Sequence, residues 1–347
     1  FSRSRGLGDV YKRQAINGFG RIGRSLLRAF FENESKHNFN IAAVNEIASI
    51  QTMGHLTRYD STHGKFNGSI EVFKNSLSIN GSNIKVFHHK SLDNLPWADQ
   101  NIDVVIESSG SYSKRKQAES HIISGAKKVL FSQPADKNVD KTIVFGVNQD
   151  LLDSSDEIIS GASCTTNCVV PVIKIINDQL GIESGVITTI HSAMNDQPVI
   201  DAYHHTDLRK TRAAMHSVIP VDTDLALGID RVMPNLKGKF QAQAMRVPTI
   251  NVSAIDLSVL TSTDTTVEHV NSILLSASLQ DYVGILGYTD EPLASCDFVH
   301  DSRSGIVDSC QTRVSGKRLI KILIWFDNEW GYANRLLDII DCWQNKC

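Results

Sequence analysis

Six cysteines among 347 residues are too few, and too irregularly spaced, for a disulfide framework. They are Cys164, Cys168, Cys296, Cys310, Cys342 and Cys347, and their sparseness suits a reducing cytoplasm. No apolar run approaches the ~18 residues that a membrane span needs. An excess of positive charge is also missing: 35 Lys and Arg face 38 Asp and Glu, for a net charge of -3. Such a balance offers no basic field for nucleic acid or an anionic membrane surface. No C-x-x-C or H-x₃₋₅-H partner stands out to complete a metal site, so none is expected. What remains is an ordinary soluble composition, 41% hydrophobic and 21% charged, in a chain long enough for two domains.

The first fourteen residues, FSRSRGLGDVYKRQ, do not fit the rest of the chain. They carry four basic residues and no apolar core, so they are not a secretory signal. We expect residues 1–14 to be a non-native leader.

Residues 15–23, AINGFGRIG, then open a recognisable unit. Gly18, Gly20 and Gly23 make G-x-G-x-x-G, a weak pattern alone. Here an apolar strand precedes it, RSLLRAFFEN (24–33) continues with helical periodicity, and NIAAVNE (40–46) forms a second strand. Strand, glycine turn, helix and strand form the unit a dinucleotide cradle requires. The free amides of Arg21 and Ile22 would face the pyrophosphate at the helix mouth. Glu46, ending the second strand, would accept ribose hydroxyls and repel a 2′-phosphate, which favours NAD over NADP. Further strands are expected in DVVIESSG (103–110), KKVLFSQP (127–134) and TIVFGVN (142–148). Ser109, Gly110 and Ser132 at strand ends are candidate cofactor-edge residues.

A second feature is ASCTTNC (162–168), whose cysteines suit core packing, a disulfide, half a metal site or a nucleophile. Apolar residues recur beyond it with helical spacing, at Val169, Val172, Ile173, Ile176 and Leu180. Capping residues surround Cys164, so it sits at or near a helix N-terminus, with Pro171 delaying or kinking the regular helix. Exposed amides and the helix dipole would lower its thiol pKa there. Cys168, one turn on, should face the core. The run VITTIHSAMNDQ (186–197) places His191 at a strand end, as either a core histidine or a base for the thiol.

AINGFGRIGR, SCTTNC, the His191 strand, DLRKTRAA (207–214), RVPTINVS (246–253) and FDNEWGYANR (326–335) together resemble the glyceraldehyde-3-phosphate dehydrogenase superfamily, from residue 15 to about 340. The resemblance implies an α/β chain: a Rossmann doubly wound parallel sheet over 15–163 that binds NAD. It also implies an α+β catalytic domain with a mixed or antiparallel sheet over 164–328, and a C-terminal helix over 329–347 returning to the NAD domain. A homotetramer is implied too. So is a reaction in which Cys164 attacks an aldehyde, His191 assists, hydride passes to NAD and the thioester is cleaved. By the same match Asn328 would hold the nicotinamide carboxamide and Lys90 would lie beside the cofactor. Ser163, Thr165, Lys210, Thr223 and Arg246 would line two anion sites.

The departures select a branch. Methionine (Met194) stands where the common enzyme has a phosphate-binding threonine, and Lys210 replaces an arginine. In VDTD (221–224), Asp222 and Asp224 flank Thr223 in the inorganic-phosphate loop, where they would repel a phosphate dianion. HSAMNDQPVIDAYH, IPVDT and NEIA also look like erythrose-4-phosphate dehydrogenase, the branch serving vitamin B6 (pyridoxine) synthesis, in which water would cleave the thioester. A phosphorylating glyceraldehyde-3-phosphate dehydrogenase and a non-enzymatic binding protein on the same fold are the competing readings.

Overall fold

The computed structural model describes residues 12–204 and 207–346. Two sheets, each with its own apolar core, make up the chain. The first has nine strands in the spatial order 141–142, 158–160, 128–131, 104–107, 12–17, 39–45, 82–87, 76–79 and 70–72. The first seven are parallel; the last two return antiparallel. Strand 12–17 lies between 39–45 and 104–107, so the order reverses there and a crevice opens at the carboxyl ends. The second sheet is mixed: 219–221, 240–246, 182–191, 253–261, 319–326, 305–315 and 286–289.

The glycine turn follows from local sterics. Gly18 has φ +88°, and a Cβ on it would stand 2.3 Å from Ser109 Cα. A Cβ on Gly23 would meet the Gly18 carbonyl at 2.4 Å, so the helix Arg21–Glu32 can pack this close only with glycine there. Its Leu26, Leu27 and Phe30 are buried together with Leu336, Leu337 and Ile340 of the last helix, Trp330–Asn345. The C-terminus thus completes the first sheet's core.

Three sequence expectations need adjustment. Residues 1–11 of the expected leader lie outside the described residues. Lys12, Arg13 and Gln14 pair into the first strand, with a register shift after Gln14, whose buried amide has no partner among the described residues. The run TIVFGVN contributes only Thr142 to a strand. Asn148 folds the rest into a turn by accepting from Val144 N and donating to Thr142 O. Finally, the helix Cys164–Leu180 starts before Pro171 and carries it inside. Ser163 caps the helix through Thr166 N at 3.0 Å, which fixes its start at Cys164.

Arg21 joins the two ends of the chain. Its guanidinium grips Glu329 through both carboxylate oxygens and also pairs with Asp60. Removing it would leave two partly buried carboxylates facing each other. We expect Arg21→Met to lower the unfolding free energy of the intact protein by about 2–4 kcal/mol, measured by denaturant titration. A loss under about 0.5 kcal/mol would mean that the apolar helix contacts alone hold the C-terminus.

Candidate active site

The helix Cys164–Leu180 and the strand Ile182–His191 bring the two predicted catalytic residues together. Cys164 Sγ lies 3.8 Å from His191 Nε2. The other ring nitrogen, Nδ1, is 2.9 Å from the Ser192 carbonyl and so donates to it, which leaves Nε2 with its lone pair toward the sulfur. Phe326 packs edge-on against the ring at 6.2 Å. Cys168 is fully buried in the second core.

The expected lowering of the Cys164 pKa does not prevail. Burial pushes the thiol up to about 11, against the pull of Arg246 and of the Thr165 and Cys164 amides. Burial, reinforced by Arg246, also pushes His191 down to about 4. Both shifts favour the uncharged forms of the pair. The helix mouth does supply donors, yet desolvation of a charge outweighs them. His191 Nε2 is then placed to take the thiol proton as the sulfur adds to a carbonyl carbon.

One cleft of about 600 Å³ gathers Gly20, Arg21, Ile22, Ser109, Gly110, Ser132, Ser163, Cys164, His191, Met194, Asn328 and Glu329. Its nucleotide end is lined by Gly18, Asn45, Glu46, Lys90, Ser109 and Tyr112. Gly20 and Ser109 belong to both, so the crevice runs unbroken from Glu46 to Cys164. This fits an extended dinucleotide. Space stands open above Gly20, where a Cβ would find no atom within 4 Å. The first-turn amides of Arg21 and Ile22 have no intrahelical acceptor. Asn328 is oriented by two hydroxyls: its Oδ1 accepts from Ser192 Oγ at 3.0 Å and Ser253 Oγ at 2.9 Å, which leaves Nδ2 as its remaining donor group.

Glu46 is less free than the sequence implies. Its carboxylate already accepts from the amides of Phe19 (2.7 Å), Ile47 (2.7 Å) and Ala48 (3.2 Å). It still lines the nucleotide end and still puts a negative charge there.

The anion-site candidates divide. Arg246 stands opposite His191 in the parallel pair of strands, and its buried Nε has no partner among the described residues. Lys210 is instead bound to Asp196 at 2.8 Å, so its charge is largely taken up. Thr223 and Asp224 lie with Asp222, Ser163, Thr165 and Arg231 around a second cavity of about 290 Å³ beyond Ser163. Sequence reasoning missed Glu329, Ser192 and Ser253, which hold Arg21 and Asn328. Only their nearness to Asn328 and His191 in the chain pointed to the first two. No cluster of metal-binding side chains occurs among the described residues.

Cys164→Ala should abolish aldehyde-dependent NADH formation, while Cys168→Ala should keep it and cost about 1–2 kcal/mol of stability. Equal loss of activity from both, at equal folding, would reverse the assignment. The buried imidazole of His191 generates a pH prediction. Its pKa drops from the ordinary 6.5 to about 4, so the neutral ring's contribution is complete above pH 6.5 and lost as pH falls towards 4. Wild type should therefore lose up to about 3 kcal/mol more stability over that interval than His191→Asn, read by denaturation at each pH. Parallel curves would mean that burial does not oppose protonation of the ring.

A family model described as the NAD binding domain of glyceraldehyde 3-phosphate dehydrogenase matches residues 12–115. A second, described as its C-terminal domain, matches residues 163–328. The cysteine at the helix mouth, the histidine beside it and the nucleotide end of the crevice thus lie within matched segments that cover most of the sequence, and the chain belongs to the glyceraldehyde 3-phosphate dehydrogenase family, with NAD as its cofactor.

Proposed function

We propose that the protein oxidises D-erythrose 4-phosphate to 4-phosphoerythronate, with water rather than inorganic phosphate cleaving the thioester. The observation that carries this reading is the pair of carboxylates, Asp222 and Asp224, around the cavity that Ser163 and Thr165 also line. Met194, which has no donor for an anion, lines the main cleft.

The residues would act in sequence. Cys164 Sγ bonds to the aldehyde carbon while His191 Nε2 takes the thiol proton and passes it to the carbonyl oxygen, giving a thiohemiacetal whose hydroxyl proton His191 takes back as hydride leaves. Asn328 Nδ2 and the amides at the glycine turn hold the cofactor, which accepts hydride when bound. Loss of hydride from carbon and of the hydroxyl proton leaves a thioester on Cys164. A water oxygen then adds to that carbon, the C–S bond breaks, and the acid and the free thiol are released. Arg246, with its unpartnered Nε, is the group best suited to hold the substrate phosphate.

One observation favours the rival that uses inorganic phosphate: Arg231 lines the second cavity too, although its Nη1 donates to the Ala135 carbonyl. We also propose a homotetramer in a reducing cytoplasm. Val199, Ile200, Leu208, Met215 and Val218 expose apolar side chains along one stretch, which a second copy would cover, and the five described cysteines are unpaired.

NADH formation with erythrose 4-phosphate and with glyceraldehyde 3-phosphate, each with and without phosphate, tests the reading. We expect erythrose 4-phosphate to be preferred and turnover without phosphate. Absolute dependence on phosphate, with glyceraldehyde 3-phosphate preferred, would defeat the proposal. Asp224→Gly should make turnover respond more strongly to added phosphate; an unchanged response would mean that this carboxylate does not repel it.

A further inference from the structure

Behind the nucleotide end of the crevice lies a buried polar chain that the reaction itself does not use. Glu107 ends the strand Val104–Glu107 and is 1% exposed. Its Oε2 accepts from Asn17 Nδ2 at 2.6 Å and from His121 Nε2 at 3.0 Å. Its Oε1 accepts from Ser109 N at 2.9 Å and Ser109 Oγ at 2.6 Å. The carboxylate is saturated by four donors, so it has nothing left for a ligand. It can act only through the groups it holds.

The direction of every bond in the chain is fixed. The Trp97 indole only donates, so His121 Nδ1 accepts from it at 3.0 Å and Nε2 must carry the hydrogen offered to Glu107. A carboxylate only accepts, so Asn17 must turn its NH₂ toward Glu107. Its Oδ1 therefore faces outward and accepts from Asn45 Nδ2 at 2.8 Å. Asn45 in turn presents Oδ1 to the amide of His89 at 2.9 Å. Asn17, Asn45, His89 and Ser109 all line the nucleotide end of the crevice. The neighbouring Ser108 adds a second tie, its Oγ donating to the Gly18 carbonyl at 2.6 Å. Only glycine at position 18 lets Ser109 come this close, since a Cβ there would stand 2.3 Å from its Cα.

We propose that Glu107 is a positioning residue for NAD. Through Asn17 and Ser109 it clamps the glycine turn to the loop after strand Val104–Glu107, and it sets the donor and acceptor pattern that the two walls show to the adenosine half of the cofactor. A buried ionisable group held by one-way donors is suited to specifying a single arrangement. Replacing it with glutamine puts an NH₂ against groups that themselves donate, and some member of the chain must turn over.

The test is calorimetric titration of the full-length protein with NAD and with ADP-ribose, alongside steady-state kinetics. Glu107→Gln should weaken both ligands about ten-fold or more, with kcat at saturating NAD close to wild type and Cys164 alkylation unchanged. Adding Ser109→Ala to Glu107→Gln should cost less than Ser109→Ala does alone, since the two act through one bond pair. Trp97→Phe removes the remote donor, along with part of a buried ring, and frees the His121 tautomer without touching the crevice. It should weaken both ligands in the same direction, and it carries the test where Glu107→Gln does not fold. A dissociation constant within two-fold of wild type in whichever variant folds would overturn the proposal, as would fully additive losses in the double variant.

Discussion

The grip of Arg21 on Glu329 connects residues 308 positions apart in the chain and sets the two halves of the active site against each other. Arg21 lies in the first turn of the helix beyond the glycine loop. Glu329 comes directly after Asn328 and precedes the last helix. One ion pair therefore couples the floor of the pyrophosphate site to the residue suited to the nicotinamide end. His63 and Asp60 close the arrangement, with His63 Nε2 at 3.1 Å from Glu329. The Glu329 carboxyl is held below its usual range, its hydrogen bonds to Arg21 and His63 outweighing the effect of burial. A carboxylate tied this way is a poor proton acceptor, and Asp196, the other acid lining the cleft, is held low, against the effect of burial, by its bond to Lys210, so His191 is the better-placed base beside the thiol.

The same balance of burial and charge governs the catalytic pair. A thiol at a helix mouth meets two opposing influences, and in this protein desolvation wins for both Cys164 and His191. The consequence is chemical. A resting thiolate is open to any electrophile or oxidant, whereas a thiol that loses its proton only as it attacks is spared. Arg246 contributes twice, because one cation opposes protonation of the imidazole and favours charge on the sulfur. An anionic substrate bound at Arg246 would cancel part of both effects, so the pair's protonation is coupled to occupancy of the site.

How far the sequence reveals this depends on the kind of signal. Helix Arg21–Glu32 and strand Phe39–Asn45 are legible because a glycine turn opens the helix, and its period of 3.6 then gives way to a short apolar run beyond a polar link. Cys164 is legible because capping residues crowd one helix start. What stays hidden is pairing across the fold. Nothing local in VVIESSG tells that Glu107 meets His121 and Asn17, since those contacts arise only when three strand and helix ends converge. Glu46 reads as free for a ribose, but the amides of Phe19, Ile47 and Ala48 take it up once the turn closes. Lys210 reads as an anion ligand, and Asp196 claims it across a loop. Each is a polar side chain whose bonding capacity is given by its residue type, while its partners are set only by the folded chain.

Ser163 lies between the thiol cleft and the second cavity. It caps the helix, touches both cavities, and shares hydroxyl contacts of 2.8 Å and 2.7 Å with Thr165 and Thr166. A helix mouth with three hydroxyls is by itself hospitable to an anion. Against it stand Asp222 and Asp224, with Arg231 as the single cation on the same cavity wall. Both carboxylates are exposed, so water and salt screen part of their repulsion. Two carboxylates and one guanidinium share the cavity lining, and that guanidinium donates to the Ala135 carbonyl, so the side chains there leave a net negative charge for an arriving dianion. A neutral water meets none of this and finds hydroxyl acceptors along the way. The proposed hydrolysis thus rests on a charge imbalance at the edge of the site, and the bond-making groups at its centre are indifferent to it.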